Sequence, residues 1–460
     1  MARSRNRLEI GPVAFLVAGL MFMEFLDGFI LPTAAPTIAR SFHTRSEQIG
    51  ICATSYMATI VILIPISAWL AEKYGVRRIL FSSITIFVFA SLLCATSTNV
   101  LELTITRIIQ GMGAATMVPV GRLILMKSVD KSDVIRAISY SVWPALAAPV
   151  VAPVLGGFII AHASWHWIFL INLPIGLIAL VVGIKIVPHI SGGKVQGLDW
   201  RGFYGTACSL GFLVFGAAQL GALHVNALVT IPLIAAGVGI GIPTIRHFKQ
   251  AKDPLIDLSI LKIQTFQLNC SSGLLFRVSQ NIAPFVLPLM FQDKFGWSAQ
   301  KAGELLFFYM SGNLIFKIFT TPLMKKFAFK SLILTTTFMS IPLTLFLGIL
   351  GHSLSLALVA SLLFITGGVR SLGMTLYNTI TFADIDQEVM SHANSLSNMV
   401  QQLAAVIAVA AAVIAINVGR ATAGTNYQFT FAFIFAIGML LVSLGRVLAL
   451  PSSAGDSLRN

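Results

Sequence analysis

Apolar residues run along this chain in blocks of about twenty, the length needed to cross the hydrocarbon core of a membrane as a helix. Such blocks fall near residues 12–35, 49–71, 78–97, 101–126, 137–160 and 166–187. A polar, glycine-rich stretch from His189 to Arg201 follows them. Two further blocks lie near 202–222 and 226–247. After the basic segment RHFKQAKDPLIDLSILK come six more, near 268–292, 300–323, 330–350, 354–378, 393–417 and 427–450. The order is six, two, six. It predicts an all-α integral membrane protein of fourteen spans, with an N-terminal six-helix bundle (1–188), a linker carrying two extra helices (189–267) and a C-terminal six-helix bundle (268–460). Two six-helix repeats place a binding site between them at mid-membrane depth.

Composition reinforces this pattern. Of the 460 residues 56% are hydrophobic and only 10% charged, against roughly 25% charged in a soluble domain, and the mean hydropathy is +0.86. Helices apolar on every side belong in lipid. The net charge of +14 would suggest nucleic acid in a soluble protein. Here the basic residues gather in alternate short loops, including Arg3, Arg5, Lys73, Arg78, Lys127, Lys131, Lys249, Lys325 and Lys330. The intervening loops hold only Arg40, Arg45, Lys294, Lys301 and Arg420. By the positive-inside rule both termini are cytoplasmic and the span count is even. Trp165, Trp167, Trp200 and Trp297 fall near span ends, as an aromatic belt requires. The N-terminus superficially resembles a signal peptide, but Glu24 and Asp27 interrupt the apolar run, so an uncleaved first helix is the better reading. Cys52, Cys94, Cys208 and Cys270 sit inside apolar runs with no CxxC pair and read as packing residues. The chain carries no P-loop, no HExxH and no nucleophile–base arrangement; neither an enzyme nor a nucleic-acid binder is expected.

Charges inside apolar helices are expensive and mark function by default. Glu24 and Asp27 share one face of the first span, and a carboxylate that gains and loses a proton there is a coupling site; Asp27, the deeper, is the first choice. The bland alternative is an acid that merely pairs with a base and holds helices together. Arg107, in LTITRIIQGMGAA, needs an acceptor inside the bundle. Glu24, Asp27 and backbone carbonyls are candidates, and Gln110 extends the network towards the cargo path. In the first inside loop, SAWLAEKYGVRRIL, Gly75 fits a tight turn. Glu72 with Lys73, Arg77 and Arg78 can latch one face shut, or simply anchor the loop. WPALAAPVVAPVLGG in the fifth span concentrates Pro149, Pro153, Gly156 and Gly157, a bent, small-faced helix that can pack closely and close a path. In the second half Arg277, Lys317 and Arg370 lie within spans, with Glu304 near the start of one. They either snorkel to an interface or converge on the cavity as a wall for anionic cargo. Asn378, Asn394, Asn398 and Gln402 line the cargo path or bond between helices.

These segments resemble the major facilitator superfamily, and within it the fourteen-span drug/proton antiporter branch, over essentially the whole chain. LDGFILPTAAPTI is similar to the branch signature LDxTxVNxALPxI, with Asp27, Ala34, Pro36 and Ile38 matching and Pro32 in place of asparagine. AWLAEKYGVRRIL resembles GxLaDRxGRRxxL, with Ala68 for glycine and Glu72 for aspartate. LxxxRxxQGxGAA is complete at Arg107, Gln110, Gly111 and Gly113. APVVAPVLGG resembles GPxxGPxxGG, with Ala148 and Ala152 for glycines. WHWIFLINLPIG resembles WRWIFxINxPxG, with His166 for arginine. The resemblance implies the major facilitator fold and a proton-coupled exporter of drugs, metabolites or siderophores in the inner membrane, working without a cofactor on the proton gradient. Its expected partners are the lipid bilayer, protons and a small-molecule cargo, and a single chain is expected to suffice. Export of an anionic carboxylate or citrate-type siderophore is the alternative, and proton-linked import a lesser one.

Overall fold

The computed structural model describes residues 10–128, 134–188, 197–220, 227–251, 254–351, 354–385 and 390–449. Within them the chain forms a succession of long helices and no strand. These are α1 (Ile10–Ser41), α2 (Gly50–Tyr74), α3 (Val76–Thr96), α4 (Val100–Ser128) and α5 (Val134–His162). Next are α6 (Trp167–Ile186), α7 (Trp200–Leu220), α8 (Ala227–Gln250) and α9 (Gln264–Lys294). Last come α10 (Ala299–Lys326), α11 (Phe329–Gly348), α12 (Leu356–Ile380), α13 (Met390–Ala423) and α14 (Gln428–Leu448). Eleven of them are long and apolar enough to cross a membrane. The three outside that group are α5, α7 and α10, and α10 carries Lys301, Glu304, Lys317, Lys325 and Lys326 along its length.

Hydroxyl residues fit inside these apolar helices because each can donate to the carbonyl one turn back. Thr54 donates to the Gly50 carbonyl at 2.8 Å and Thr336 to that of Leu332 at 2.8 Å. Prolines inside α1, α4, α8, α9, α10 and α11 leave carbonyls without their helical donor. In α9 the regular stretch with Pro284 and Pro288 is bounded by two π-turns, Asn269–Gly273 and Met290–Lys294, wider turns of the kind found where a helix is bent to place side chains. Gly75, at φ +92°, turns the chain between α2 and α3, a conformation that suits glycine alone at low cost.

Helix packing is set by glycines. Gly113 of α4 lies against the backbone of Ser83 and Phe87 in α3, Gly156 of α5 against Ile30 in α1, and Gly157 against Ala299 at the start of α10. The α7–α8 pair forms its own glycine-lined seam, where Gly205 faces Thr244 and Gly237 faces Leu213, and where Ser209 donates to the Gly237 carbonyl at 2.8 Å. At one end of the bundle, that of the 42–49 loop, a single apolar core joins the halves. Ile30 and Ile38 of α1 share it with Phe285 of α9, Leu306 of α10 and Val409 and Val413 of α13. At the opposite end the cores separate. One holds Val13, Leu80, Phe87 and Ile124 of the first half, the other Phe276, Ile333, Tyr377 and Leu440 of the second. The two halves are thus sealed together by one large core at the 42–49 loop end, and further along only a small cluster of Ala58 and Val61 of α2, Val214 of α7 and Met399 and Val406 of α13 still joins them.

Candidate functional site

Asp27 is the centre of a polar cluster sealed inside the first half. It is 1% exposed. Arg107 of α4 forms an ion pair with its Oδ2 through Nη1, and Gln110, one turn on, donates to Oδ1 at 2.9 Å. Asn172 at the start of α6 donates to the same oxygen at 2.8 Å. Arg107 also donates to Gln110 Oε1 at 2.7 Å, and Gln110 to Ser91 of α3 at 2.8 Å. The Arg107 guanidinium lies over the Tyr56 ring of α2, 4.0 Å from its centroid. Five helices therefore contribute to one cluster, and α4 and α6 reach the carboxylate of α1 directly. A buried ion pair is tolerated when its remaining lone pairs and protons are satisfied; the amides of Gln110 and Asn172 do that for Asp27. Gln110, expected on the cargo path, is instead fully buried as part of this clamp.

Glu24, one turn earlier on α1, has a different environment. It is half-buried, and its Oε2 is enclosed without a hydrogen-bond partner. The charges within reach are Arg122 of α4 and Asp27. Arg122 is exposed and was not singled out by sequence reasoning, because a guanidinium six residues from a helix end reads as an anchor.

In the second half the three interior cations do not converge. Arg277 is buried and donates to Asn269 at 2.6 Å and to Asn378 of α12 at 2.7 Å; the bare Cα of Gly273 makes room for its Nη1. Arg370 lies apart, donating to the Gln280 carbonyl at 3.3 Å and to Asn281 at 3.0 Å. Lys317 of α10 is half-buried and within electrostatic reach of Arg370. Both guanidiniums are buried and donate to amide oxygens of neighbouring residues, so neither arginine snorkels. Gln402 and Asn398 are half-buried on α13; the side chain of Asn394 lies outside the described residues.

Among the described residues, Glu72 forms no ion pair with the cations of the first loop. Arg77 donates to the carbonyls of Ile184 and Val187, at 2.8 and 2.9 Å, because the last turn of α6 leaves carbonyls without intrahelical donors and attracts cations. Lys73 lies over Trp69, 4.5 Å from the ring centroid. Glu72 and Arg78 are exposed, and none of the three described ion pairs includes Glu72. An interhelical latch stands at the other end of the bundle. Arg420, near the end of α13, pairs with Glu47 of the 42–49 loop and donates to Gln428 at 2.6 Å. Gln292 of α9 donates to the Thr33 carbonyl of α1 at 2.9 Å. Near this latch, burial beside Arg420 pushes the Arg45 guanidinium down despite Glu47. Pro153 and Gly157 of α5 meet Gly303 and Ala299 of α10 backbone to backbone at that same end, while Pro149 is half-buried two turns before Gly157.

Comparison with known proteins adds a family. The sequence profile described as Major Facilitator Superfamily matches residues 17–409. A relative from Haemophilus influenzae named "Probable transport protein HsrA" is 29% identical, over 97% of this chain and 97% of its own. "Putative multidrug resistance protein MdtD" of Pectobacterium atrosepticum is 31% identical over 88% of this chain and 86% of its own. Its Escherichia coli O6:H1 namesake is 30% identical over 95% and 92%. Among solved structures, a mutant of the nucleoside transporter NupG superposes with a TM-score of 0.69 at 12% identity, covering 95% of this chain and 99% of that chain. A D-xylose–proton symporter does so at 0.66 and 13% identity, covering 96% and 98%. At such identities the likeness is one of fold.

Proposed function

We propose that this chain, which belongs to the Major Facilitator Superfamily and is a multi-pass membrane transporter rather than an enzyme, is a proton-coupled exporter of small organic molecules of the multidrug-efflux type. In this reading it spans the inner membrane fourteen times as a single chain, with both termini cytoplasmic. Residues 1–188 and 268–460 act as two rocking bundles and 189–267 as the connecting pair. No cofactor takes part; the proton gradient drives the cycle.

The observation that carries the reading is the ion pair of Asp27 with Arg107, sealed at mid-helix, with Glu24 standing one turn away with an unpartnered oxygen. Glu24 is the less buried of the two acids and has an oxygen with no bond to break, so in this scheme it receives the proton first. Passed to Asp27, that proton removes the negative charge that holds Arg107, Gln110 and Asn172, and loosens α1 from α4 and α6. Asp27 is in this scheme the coupling carboxylate and Glu24 its relay. The core shared at the 42–49 loop end, with the Glu47–Arg420 pair across it, supports a state closed to the outside and open to the cytoplasm, in which cargo loads. The closely packed α5–α10 crossing at Pro153, Gly157 and Gly303 is the surface that must part when the cycle reverses. The resistance role in the names of the MdtD relatives supports export over import.

Proteoliposomes with an imposed pH gradient test this. Wild-type protein should move ethidium against its gradient, Asp27→Asn should abolish the movement while remaining folded, and Glu24→Gln should slow it. Full gradient-driven transport by Asp27→Asn would overturn the assignment.

A further inference from the structure

In the helices α9 to α14 the only carboxylates are Asp293 and Glu304, both within six residues of a helix end. At mid-helix stand three cations, and Arg277 is enclosed by Asn269 and Asn378. That leaves Arg370 and Lys317. They are brought to one level by a glycine seam between α10 and α12. Gly312 packs on the Phe364 carbonyl, Gly367 on the Tyr309 carbonyl and the Asn313 amide, and Gly368 on the Phe316 ring. A Cβ on Gly367 would stand 1.8 Å from the Tyr309 carbonyl oxygen, so only a glycine permits this register. Arg370 uses Nε and Nη2 on Gln280 and Asn281, and its Nη1 has no bond among the described residues. Tyr309 is fully buried, its hydroxyl has no partner among the described residues, and it lies within electrostatic reach of Arg370. No carboxylate pairs with either cation among the described residues.

We propose that Arg370, Lys317 and the Tyr309 hydroxyl, oriented by Asn281, form an anion subsite that takes a carboxylate or phosphate group of the cargo. A buried guanidinium beside a half-buried ammonium, with no counterion among the described residues, is costly, and the expense is relieved when a ligand brings the anion. The free edge of a guanidinium offers parallel N–H donors that suit a carboxylate or phosphate. A lysine adds a mobile point charge and a phenol a neutral donor. The first half makes the contrast. There the first and fourth helices, α1 and α4, close Arg107 on the chain's own Asp27. In the second half the first and fourth helices, α9 and α12, place only neutral oxygens on Arg370, the Gln280 carbonyl and the amide of Asn281. The negative charge is missing from the protein and is supplied by what it carries.

This deepens the transporter reading and rests on it, but its test needs no gradient. Purified protein is titrated with carboxyfluorescein, an aromatic polycarboxylate, by fluorescence polarisation, with ethidium as a cationic control. Asn281→Asp supplies the missing carboxylate and should weaken carboxyfluorescein binding at least tenfold while shifting ethidium binding by no more than twofold. Arg370→Gln and Lys317→Gln should weaken it by a comparable factor. If Arg370→Gln misfolds, Asn281→Asp and Lys317→Gln still decide the matter. Unchanged carboxyfluorescein binding in Asn281→Asp and Lys317→Gln, or none by the wild type, overturns the subsite. Displacement of the probe by phosphatidylglycerol, but not by succinate or phosphate, would assign these cations to a lipid headgroup and overturn the cargo role. Failure of gradient-driven ethidium transport alongside intact, Arg370-dependent anion binding would sink the exporter reading and leave the subsite standing.

Discussion

Arg107 and Arg277 are both buried guanidiniums on helices that line the middle of the molecule, and the chain treats them differently. Arg107 meets a carboxylate, the amide oxygen of Gln110 and an aromatic face. Arg277 meets two asparagine oxygens and, among the described residues, no acid. Breaking the first pair leaves an unbalanced charge behind; removing the second cation leaves only neutral groups short of a donor. Burial alone therefore does not measure how much a charge matters. What its removal leaves behind does.

Arg107→Ala sharpens that contrast most. It strands Asp27 without its counterion, at a cost of about 3–5 kcal/mol, and should abolish transport and lower the thermal unfolding midpoint more than any other change here. An Arg107→Ala protein as stable as wild type would end the comparison. Gly367→Ala comes next. Its Cβ forces α10 and α12 apart, at about 1–3 kcal/mol, and differential scanning fluorimetry together with carboxyfluorescein binding would register both the strain and the lost alignment of Lys317 with Arg370. Arg277→Gln should cost less, about 1–2 kcal/mol, since it only leaves hydrogen-bond acceptors unmade. If it proved as damaging as Arg107→Ala, the carboxylate would not be what distinguishes the two.

Glu47→Gln removes the charge of a buried carboxylate but keeps an acceptor for Arg420, so it should cost about 1 kcal/mol and loosen the seal at the 42–49 loop end. A cysteine placed at Thr33 should react faster with a membrane-impermeant maleimide in that variant. The smallest effect concerns the turn before α7. Burial pushes the Asp199 carboxyl up, but donors from the Gly202 amide, His247 and the Leu255 amide outweigh it and leave the group below its usual range. A depressed carboxylate pKa stabilises the fold above the unfolded value of about 3.9 and loses that contribution as pH falls through the folded one. The stability gap between wild type and Asp199→Asn should accordingly be full near neutrality and close under acid, measured as unfolding midpoint against pH.

The neutral members of the Asp27 cluster show the limit of reading the sequence. Asp27 and Arg107 announce themselves as charges in apolar runs. Asn172, Ser91 and Tyr56 do not, because a single amide or hydroxyl in a helix is ordinary and becomes significant only when a neighbour with a charge is placed against it. The Glu47–Arg420 latch was hidden for the opposite reason: both residues sit near helix ends, where charges are expected. For the first loop the sequence leaves latch and anchor both open, because cations surround Glu72; the carbonyls ending α6 are the claimants on Arg77 that it does not reveal.

By itself the sequence determined the all-helical membrane architecture, since the length and uniform apolarity of each run leave the backbone no other way to satisfy its hydrogen bonds in lipid. It also determined that α1 carries two acids and that the second half has cations at mid-helix without acids. Which cation meets which acceptor was decided only in three dimensions. The glycine contacts fix the register of α10 against α12 and of α5 against α1 and α10. A shift of one residue on a helix turns a side chain by about 100 degrees, so Arg277 reaches asparagines, Arg370 stands beside Lys317, and Asp27 closes on Arg107, through packing that no single helix encodes.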